Sequence, residues 1–490
     1  MAHNTNPLDP IRFAADWALN FADRVRAERV VGRLDVRGAQ DELAAFDFAQ
    51  PRPPEQVLAA VADLLQRGLV HVTHPAYFGL FNPSVFPEGV AAALLTAAFN
   101  PQLATVQHAP AAFAIEQHVL GFFARALGFD PERVSHHFTS GGQEANTEAL
   151  LIALCHHFPA VREHGVRALD GDPVLYVSAE AHHSFEKAAH AAGLGRAAVR
   201  RVAVDDHLRL DIAALEAALA HDRGRGALPF FVVATAGATS SGAIDPLQPM
   251  AEFAQREALW LHTDAAWGGA AVLSPRHGHH LAGIERSDSV TWDAHKWLQA
   301  PMGTGMLFTR HASAPRAAFA TRSPYMPARQ GGFDDPYDSS LPWSRRAAGI
   351  APFVSLAVRG NDGLAAMVER MFELGDLLRE LLVGAGFTIE NHTPLPLVCF
   401  SHPDIERGAT SASAVAARLQ DRGRCWISPT RLANGRTVLR AAITSHRTEQ
   451  RDLERLLSEL TLALKPVAEQ PSQHPPNPPQ CGEARLFPGR

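Results

Sequence analysis

Apolar residues along the chain fall into two rhythms. Between about Gly89 and Arg310, short and almost wholly apolar runs ("PVLYVSA", "PFFVVATA", "LWLHTDA", "SVTWDA", "GMLFTR") alternate with stretches in which apolar positions recur at helical spacing. Runs so short and so apolar predict strands buried on both faces, and helices between them predict a mostly parallel sheet covered on both sides. The expected class is α/β, with a large domain over 89–320. Before it, "PPEQVLAAVADLLQRGL" has the spacing of an amphipathic helix, and residues 1–88 are expected to form a helical arm or docking segment. After it, "RSPYMPARQGGFDDPYDSSLPW" offers little to pack, which predicts a mobile loop over 321–344. A long helical pattern and the strand candidates "PLVCFSH" and "TVLRAAIT" follow, and the Asn-Gly of "ANGR" predicts a hairpin over Cys425–Thr444. Residues 345–466 are therefore expected to form a small C-terminal α+β domain. The Pro-rich stretch 467–490 is expected to be a disordered tail.

Composition narrows the partners. The 490 residues are 46% hydrophobic and 20% charged, the make-up of an ordinary globular enzyme. Lys and Arg number 45 against 51 Asp and Glu, so the formal charge of −6 gives no reason to expect nucleic acid or a membrane surface as partner. The cysteines, Cys155, Cys399, Cys425 and Cys481, form no CxxC pair, which argues against a disulfide framework or a cysteine metal site. Reduced thiols, and an N-terminus "MAHNTNPLDP" without a basic-then-apolar signal pattern, make a cytoplasmic location the expectation. Histidines are many, yet none stands in HExxH or another ligand spacing, so no metal is expected.

Chemistry is concentrated at predicted strand ends, where open α/β sheets bind ligands. Ser140-Gly141-Gly142 precede a helix in "HFTSGGQEANTEALLIAL", which is either a capped tight turn or a cradle of free amides for a phosphate. Asp264 ends the apolar run "LWLHTDA". A carboxylate there needs a partner, and is either a turn cap or the group that keeps a pyridine nitrogen protonated. Lys296 stands at the end of the next apolar run, in "SVTWDAHKWLQ", as a surface charge or a nucleophile. His182, in "SAEAHHS", is either a surface residue or a flat ring stacked on a cofactor.

The ordered set TSGGQEAN, SAEAHHS, ATAGATSSGAIDP, HTDAAWGG and DAHKWL resembles the group II pyridoxal-phosphate-dependent decarboxylases of fold type I, over roughly Thr73 to Thr444. The group includes aromatic-amino-acid, glutamate, tyrosine and diaminobutyrate decarboxylases. The resemblance implies that an L-amino acid loses carbon dioxide and leaves as the amine, by way of an external aldimine and a quinonoid. It makes Lys296 the Schiff-base lysine, His295 a phosphate contact, Asp264 the pyridine-nitrogen partner and Ala266 the small residue under the ring. His182 becomes the stacking histidine, Thr239 a contact to the ring oxygen or substrate, and Gly142 and Gln143 the phosphate cup. Many relatives carry Ser or Thr where this chain has Gln143, so a backbone amide alone is expected to bind there.

A loop tyrosine, often from the partner subunit, delivers the final proton in such enzymes. Of Tyr325 and Tyr337, the latter is favoured by its spacing, eight residues before Arg345. Arg440 is a candidate for a substrate carboxylate or a loop contact. His74, in "HPAYFGLFNPS", is a candidate polar contact of the substrate pocket, with Gln107 and His108 a further polar pair. The resemblance also implies a homodimer with active sites at its interface. Two other outcomes share the motifs: oxidative decarboxylation or deamination to an aldehyde, and a non-catalytic scaffold.

Overall fold

Each apolar run of the large domain becomes a strand of one seven-stranded sheet in a computed structural model of the chain, which describes residues 9–321, 323–326 and 332–465. Its strands are β1 (Ser135–Thr139), β2 (Pro173–Ser178), β3 (Val199–Val202), β4 (Leu228–Thr235), β5 (Trp260–Asp264), β6 (Ser289–Asp293) and β7 (Gly305–Thr309), in the spatial order β1-β7-β6-β5-β4-β2-β3. Strands β3, β2, β4, β5 and β6 pair in parallel, and β7 alone runs against both its neighbours, β6 and β1. The expected mostly parallel sheet is present. Strands β1 and β3 add to the five expected ones. Their sequences, "SHHFT" and "VRRV", lack the apolar content that marked the others.

Alternation along the strands explains why the runs are so apolar. Val174 and Tyr176 of β2, with Val232 and Ala234 of β4, join one buried cluster, while Leu175, Val177, Phe231 and Val233 join another across the sheet. Successive side chains point to opposite faces, so a strand covered on both sides has no polar face to show. Each such side chain contributes about 1.5–3 kcal/mol on burial.

The C-terminal region folds around a second, antiparallel sheet of β8 (Thr388–Ile389), β9 (Leu397–Ser401), β10 (Ser428–Arg431) and β11 (Thr437–Ala442), ordered β10-β11-β9-β8. Strands β10 and β11 are the expected hairpin, with Asn434 and Gly435 at its tip. A long helix, Ile350–Gly384, precedes this sheet and is broken at Gly360, whose φ of 68° and ψ of 173° lie outside the helical region. Of the expected loop over 321–344, Arg322 and residues 327–331 lie outside the described residues. So does the expected tail over 467–490.

The N-terminal segment is stitched to the small sheet. Phe78 N–H donates to Trp426 O at 2.8 Å, Trp426 N–H to Ala76 O at 3.2 Å, and Ala442 N–H to Phe78 O at 2.8 Å. Tyr77 stacks on Trp426 with centroids 5.4 Å apart. Gly79 passes so close to Trp426 that a Cβ there would lie 1.6 Å from the indole ring. Gly79→Ala therefore forces the ring or the strand aside and should destabilise the fold by about 1–3 kcal/mol. Denaturant unfolding of the variant, with an unchanged midpoint, would show that the seam yields freely.

Candidate active site

Strands β1, β2, β4, β5 and β6 all run in one direction, because β7 reverses between β1 and β6. Their C-terminal ends therefore open on one crevice, the place where such sheets bind ligands. Five short segments gather there: Ser140-Gly141-Gly142, Ala179 to His182, Ala236 to Thr239, Asp264 to Ala266, and Asp293 to Lys296. The candidates Gly142, His182, Thr239, Asp264, Ala266, His295 and Lys296 lie in these segments.

Glycines bring the segments together. Gly141, with φ 153° and ψ 178°, adopts a backbone conformation that residues with a Cβ rarely reach. The helix Gly142–His157 starts directly after it with no capping side chain, so its first amides have no partner within the helix. A Cβ at Gly142 would meet Asp293 Oδ2 at 3.1 Å and Ala266 Cβ at 3.3 Å, and one at Gly305 would meet Gly141 Cα at 2.6 Å. The helix start is thus drawn against β6 and β7 as closely as bare backbone allows. Gln143 turns its side chain to Thr147 Oγ1 (3.2 Å) and Ser184 O (3.3 Å), leaving its backbone amide as the group it can offer an anion. His295 closes the same corner. Its Nδ1 accepts the Thr304 N–H at 3.2 Å, which puts any neutral-state proton on Nε2, and burial lowers its pKa below the usual imidazole range.

Lys296 leaves β6 within a turn fixed from several sides. Gln299 is fully buried in a left-handed conformation (φ 58°), and its amide donates to Trp297 O (3.1 Å) and Thr444 O (2.6 Å). The Lys296 amine rests 3.1 Å from Asp293 Oδ2 and 5.9 Å from the centre of the Phe81 ring. Across the neighbouring strand end, Asp264 is 7% exposed, and its Oδ1 accepts the Ala266 N–H at 3.1 Å while its Oδ2 accepts the Asn146 amide at 2.9 Å. His182 stands on the crevice wall with Nδ1 accepting the Ser184 N–H at 3.2 Å. Its edge is exposed, yet burial of the rest of the ring lowers its pKa, so a neutral, flat imidazole is offered. Thr239, His182, Glu180 and Ser240 line a cavity of about 500 Å³ that Arg431 and Leu432 of the hairpin close.

Arg440 approaches from β11. It is 4% exposed, its Nη1 donates to Ser428 Oγ at 3.0 Å, and its guanidinium lies 4.9 Å from the Phe81 ring centre. Its Nε and Nη2 are buried without a hydrogen-bond partner. Two bare donors on a buried cation are costly unless an anion arrives to meet them. Phe81, which packs on Trp267 at 4.6 Å, thus lies within reach of both Lys296 and Arg440.

The remaining candidates are arranged differently from expectation. Tyr337 is buried, stacks on Trp343 at 4.8 Å and donates its backbone N–H to Ala104 O. Tyr325 is 75% exposed. Arg345 forms a buried ion pair with Glu116 at 3.0 Å, which anchors the end of the 321–344 segment. His74, expected as a pocket contact, is fully buried with Nδ1 accepting the Ala76 N–H at 2.9 Å. The charges nearest it are Arg455, Asp452 and Arg26, at the seam between the N-terminal segment and the last helix, and burial pushes its pKa down to about 4. Gln107 and His108 sit exposed in a turn where Thr105 Oγ1 meets His108 Nδ1 at 2.8 Å.

These residues fit a phosphorylated pyridine aldehyde. A close-packed glycine corner with bare amides suits the phosphate, a buried carboxylate suits a ring N–H, and an amine on the adjoining strand end suits the aldehyde. Sequence reading missed Phe81, Asn146 and His262. Periodicity sets His262 two residues before Asp264 on one strand and Asn146 one turn after Gly142 on one helix, but does not join the two.

Comparison with known proteins agrees with this arrangement. Residues 40–402 match the pyridoxal-dependent decarboxylase conserved domain. The acidic amino acid decarboxylase GADL1 of Mus musculus is 30% identical over 80% of this chain and 74% of its own length. L-2,4-diaminobutyrate decarboxylase of Rhizobium meliloti is 34% identical over 68% of this chain and 66% of its own. Among solved structures, mouse CSAD in apo form superposes with a TM-score of 0.86 at 26% identity, over 94% of this chain and all of that one. Oryza sativa TDC with pyridoxal phosphate and tryptamine gives 0.86 at 25%, over 95% and 99%. The chain belongs to the pyridoxal-dependent decarboxylase family, and it is a carboxy-lyase that uses pyridoxal 5'-phosphate to release carbon dioxide from an amino acid and leave the amine.

Proposed function

We propose that Lys296, Asp264, His182 and Arg440 are the working groups of this decarboxylase, with a loop tyrosine as the final acid. The observation that carries the reading is the pairing of a buried, doubly hydrogen-bonded Asp264 with an amine at the next strand end. Bound pyridoxal phosphate supplies an aldehyde that joins to amines and a protonated ring that accepts the electron pair left by departing carbon dioxide. Asp264 accepts the ring N–H and so favours the protonated ring. Lys296 would hold the aldehyde and leave it free for the amino group of a substrate. The amides of Gly142 and Gln143, with His295, bind the phosphate, and Ala266 leaves room below the ring. His182 covers the other face, and Thr239 contacts the ring oxygen or the substrate.

Arg440 binds a substrate carboxylate, which supplies the anion its bare Nε and Nη2 lack. Phe81 beneath it excludes water from that contact. For the acid, exposure favours Tyr325: it is 75% exposed with its ring 6.2 Å from Trp343, whereas Tyr337 is buried and stacks on the same indole at 4.8 Å. This reverses the preference drawn from spacing.

The chain works as a homodimer. The helix Pro87–Phe99 supports this, since Val90, Leu94, Leu95 and Phe99 are 48%, 47%, 53% and 81% exposed along it. The unpaired thiols of Cys155, Cys399 and Cys425 support a cytoplasmic location.

Incubation with pyridoxal phosphate and a panel of L-amino acids should give carbon dioxide and amine in equal amounts from at least one of them. In the same assay Arg440→Gln should raise KM about tenfold or more. Aldehyde and peroxide in place of amine would contradict the reading. Tyr325→Phe should keep the visible absorbance of the bound cofactor and lose amine formation, while Tyr337→Phe should retain it. Mixing inactive Tyr325→Phe with inactive Lys296→Ala should restore part of the activity if the loop serves the partner subunit. No restoration, with a chain that sediments as a monomer, would contradict the dimer.

A further inference from the structure

We infer that Asn146 and His262 form a directed hydrogen-bond relay that orients the Asp264 carboxylate, and are positioning residues of the decarboxylase site; the inference rests on the role proposed above for Asp264. Behind Asp264 lies a chain of polar side chains with almost no access to solvent: Asn146 (1% exposed), His262 (0%), Ser289 (0%) and Trp260 (2%). The Asn146 amide nitrogen is 2.9 Å from Asp264 Oδ2 and 2.9 Å from Ser184 Oγ, and its oxygen is 3.0 Å from His262 Nε2. His262 Nδ1 is 2.8 Å from Ser289 Oγ, which also takes the Trp260 indole N–H at 2.8 Å.

Only one arrangement of protons satisfies every link. Asp264 Oδ2 is an acceptor, so the Asn146 amide nitrogen faces it and Ser184, and the amide oxygen faces His262 Nε2. The neutral imidazole therefore carries its proton on Nε2, which donates to that oxygen, and its bare Nδ1 accepts from Ser289 Oγ. Ser289 Oγ in turn accepts the Trp260 indole N–H, which can only donate. The reverse amide would set an oxygen against the carboxylate.

The surroundings keep the imidazole neutral. His262 packs between Phe231, stacked at 5.6 Å, and Phe185 at 6.0 Å, and burial pushes its pKa down to about 4 against the opposing pull of Asp264. Among the described charged side chains, Asp264 is the one that acts on it. With Oδ1 held by the Ala266 N–H and Oδ2 by Asn146, the plane of the carboxylate is set before any ligand binds, and it keeps lone pairs for one further N–H. Such preorganisation is an electrostatic asset, because the group need not reorient as charge develops on the ring.

His262→Leu and His262→Gln separate the relay from mere packing. Leucine fills the space but cannot donate, whereas the glutamine amide nitrogen can replace Nε2. In titrations of apoprotein with pyridoxal phosphate, followed by visible absorbance, His262→Leu should bind the cofactor about tenfold more weakly. Its kcat should fall by about tenfold or more with little change in substrate KM. His262→Gln should recover most of both losses. Ser289→Ala, which removes no bulk, should shift both quantities in the same direction by less, and it provides the test if His262→Leu does not fold. Equal behaviour of the leucine and glutamine variants, or wild-type cofactor affinity and kcat in Ser289→Ala and His262→Leu alike, would overturn the relay alone. A wild-type chain that develops no cofactor absorbance would overturn the assignment of Asp264 as well.

Discussion

Asp264 carries its carboxylate at the inner end of a strand buried on both faces, where an unsolvated charge costs several kcal/mol unless donors surround it. The Ala266 N–H and the Asn146 amide provide part of that surrounding. Each oxygen can accept a further hydrogen bond, and the ring N–H of the cofactor is the donor proposed for one of them. Much of the large domain serves to keep this carboxylate buried and aimed. Strand β5 brings it to the crevice, the helix Gly142–His157 brings Asn146 to its side, and β6 sets Lys296 beyond it.

The second part of the site comes from elsewhere in the chain. Phe81 belongs to the segment stitched to Trp426, and Arg440 to β11, so the groups proposed to meet the substrate sit at the seam between the N-terminal segment and the small sheet. The cofactor side is held by strand ends and glycine contacts that leave little room for movement. Arg440 is proposed for the substrate side because its Nε and Nη2 are buried without a hydrogen-bond partner.

Strands β2, β4, β5, β6 and β7 were legible because burial on both faces leaves an unbroken apolar run, and the hairpin because Asn-Gly favours its turn. Strand β1 was not, since its histidines find partners only in the fold: His137 pairs with Glu148 at 2.6 Å. Lys296, Asp264 and His182 could be singled out because each stands at or just past the end of an apolar run, and Gly142 because Ser-Gly-Gly precedes a helical pattern, both one-dimensional signals. Asn146 and His262 act through contacts more than a hundred residues apart in sequence, and no local pattern announces such a pair. His74 and Tyr337 sit in surroundings that the sequence did not announce, for the same reason. Spacing put them near a motif, but packing turned one to the seam and stacked the other under Trp343.

The claim on which the account turns is that Asp264 keeps the cofactor ring protonated. Nitrogen NMR of the apoprotein loaded with pyridoxal phosphate labelled at its ring nitrogen reads that state directly. A protonated ring nitrogen in the wild type, lost in Asp264→Asn, is the predicted result. An unprotonated nitrogen in the wild type, or a signal that Asp264→Asn leaves unchanged, would contradict it.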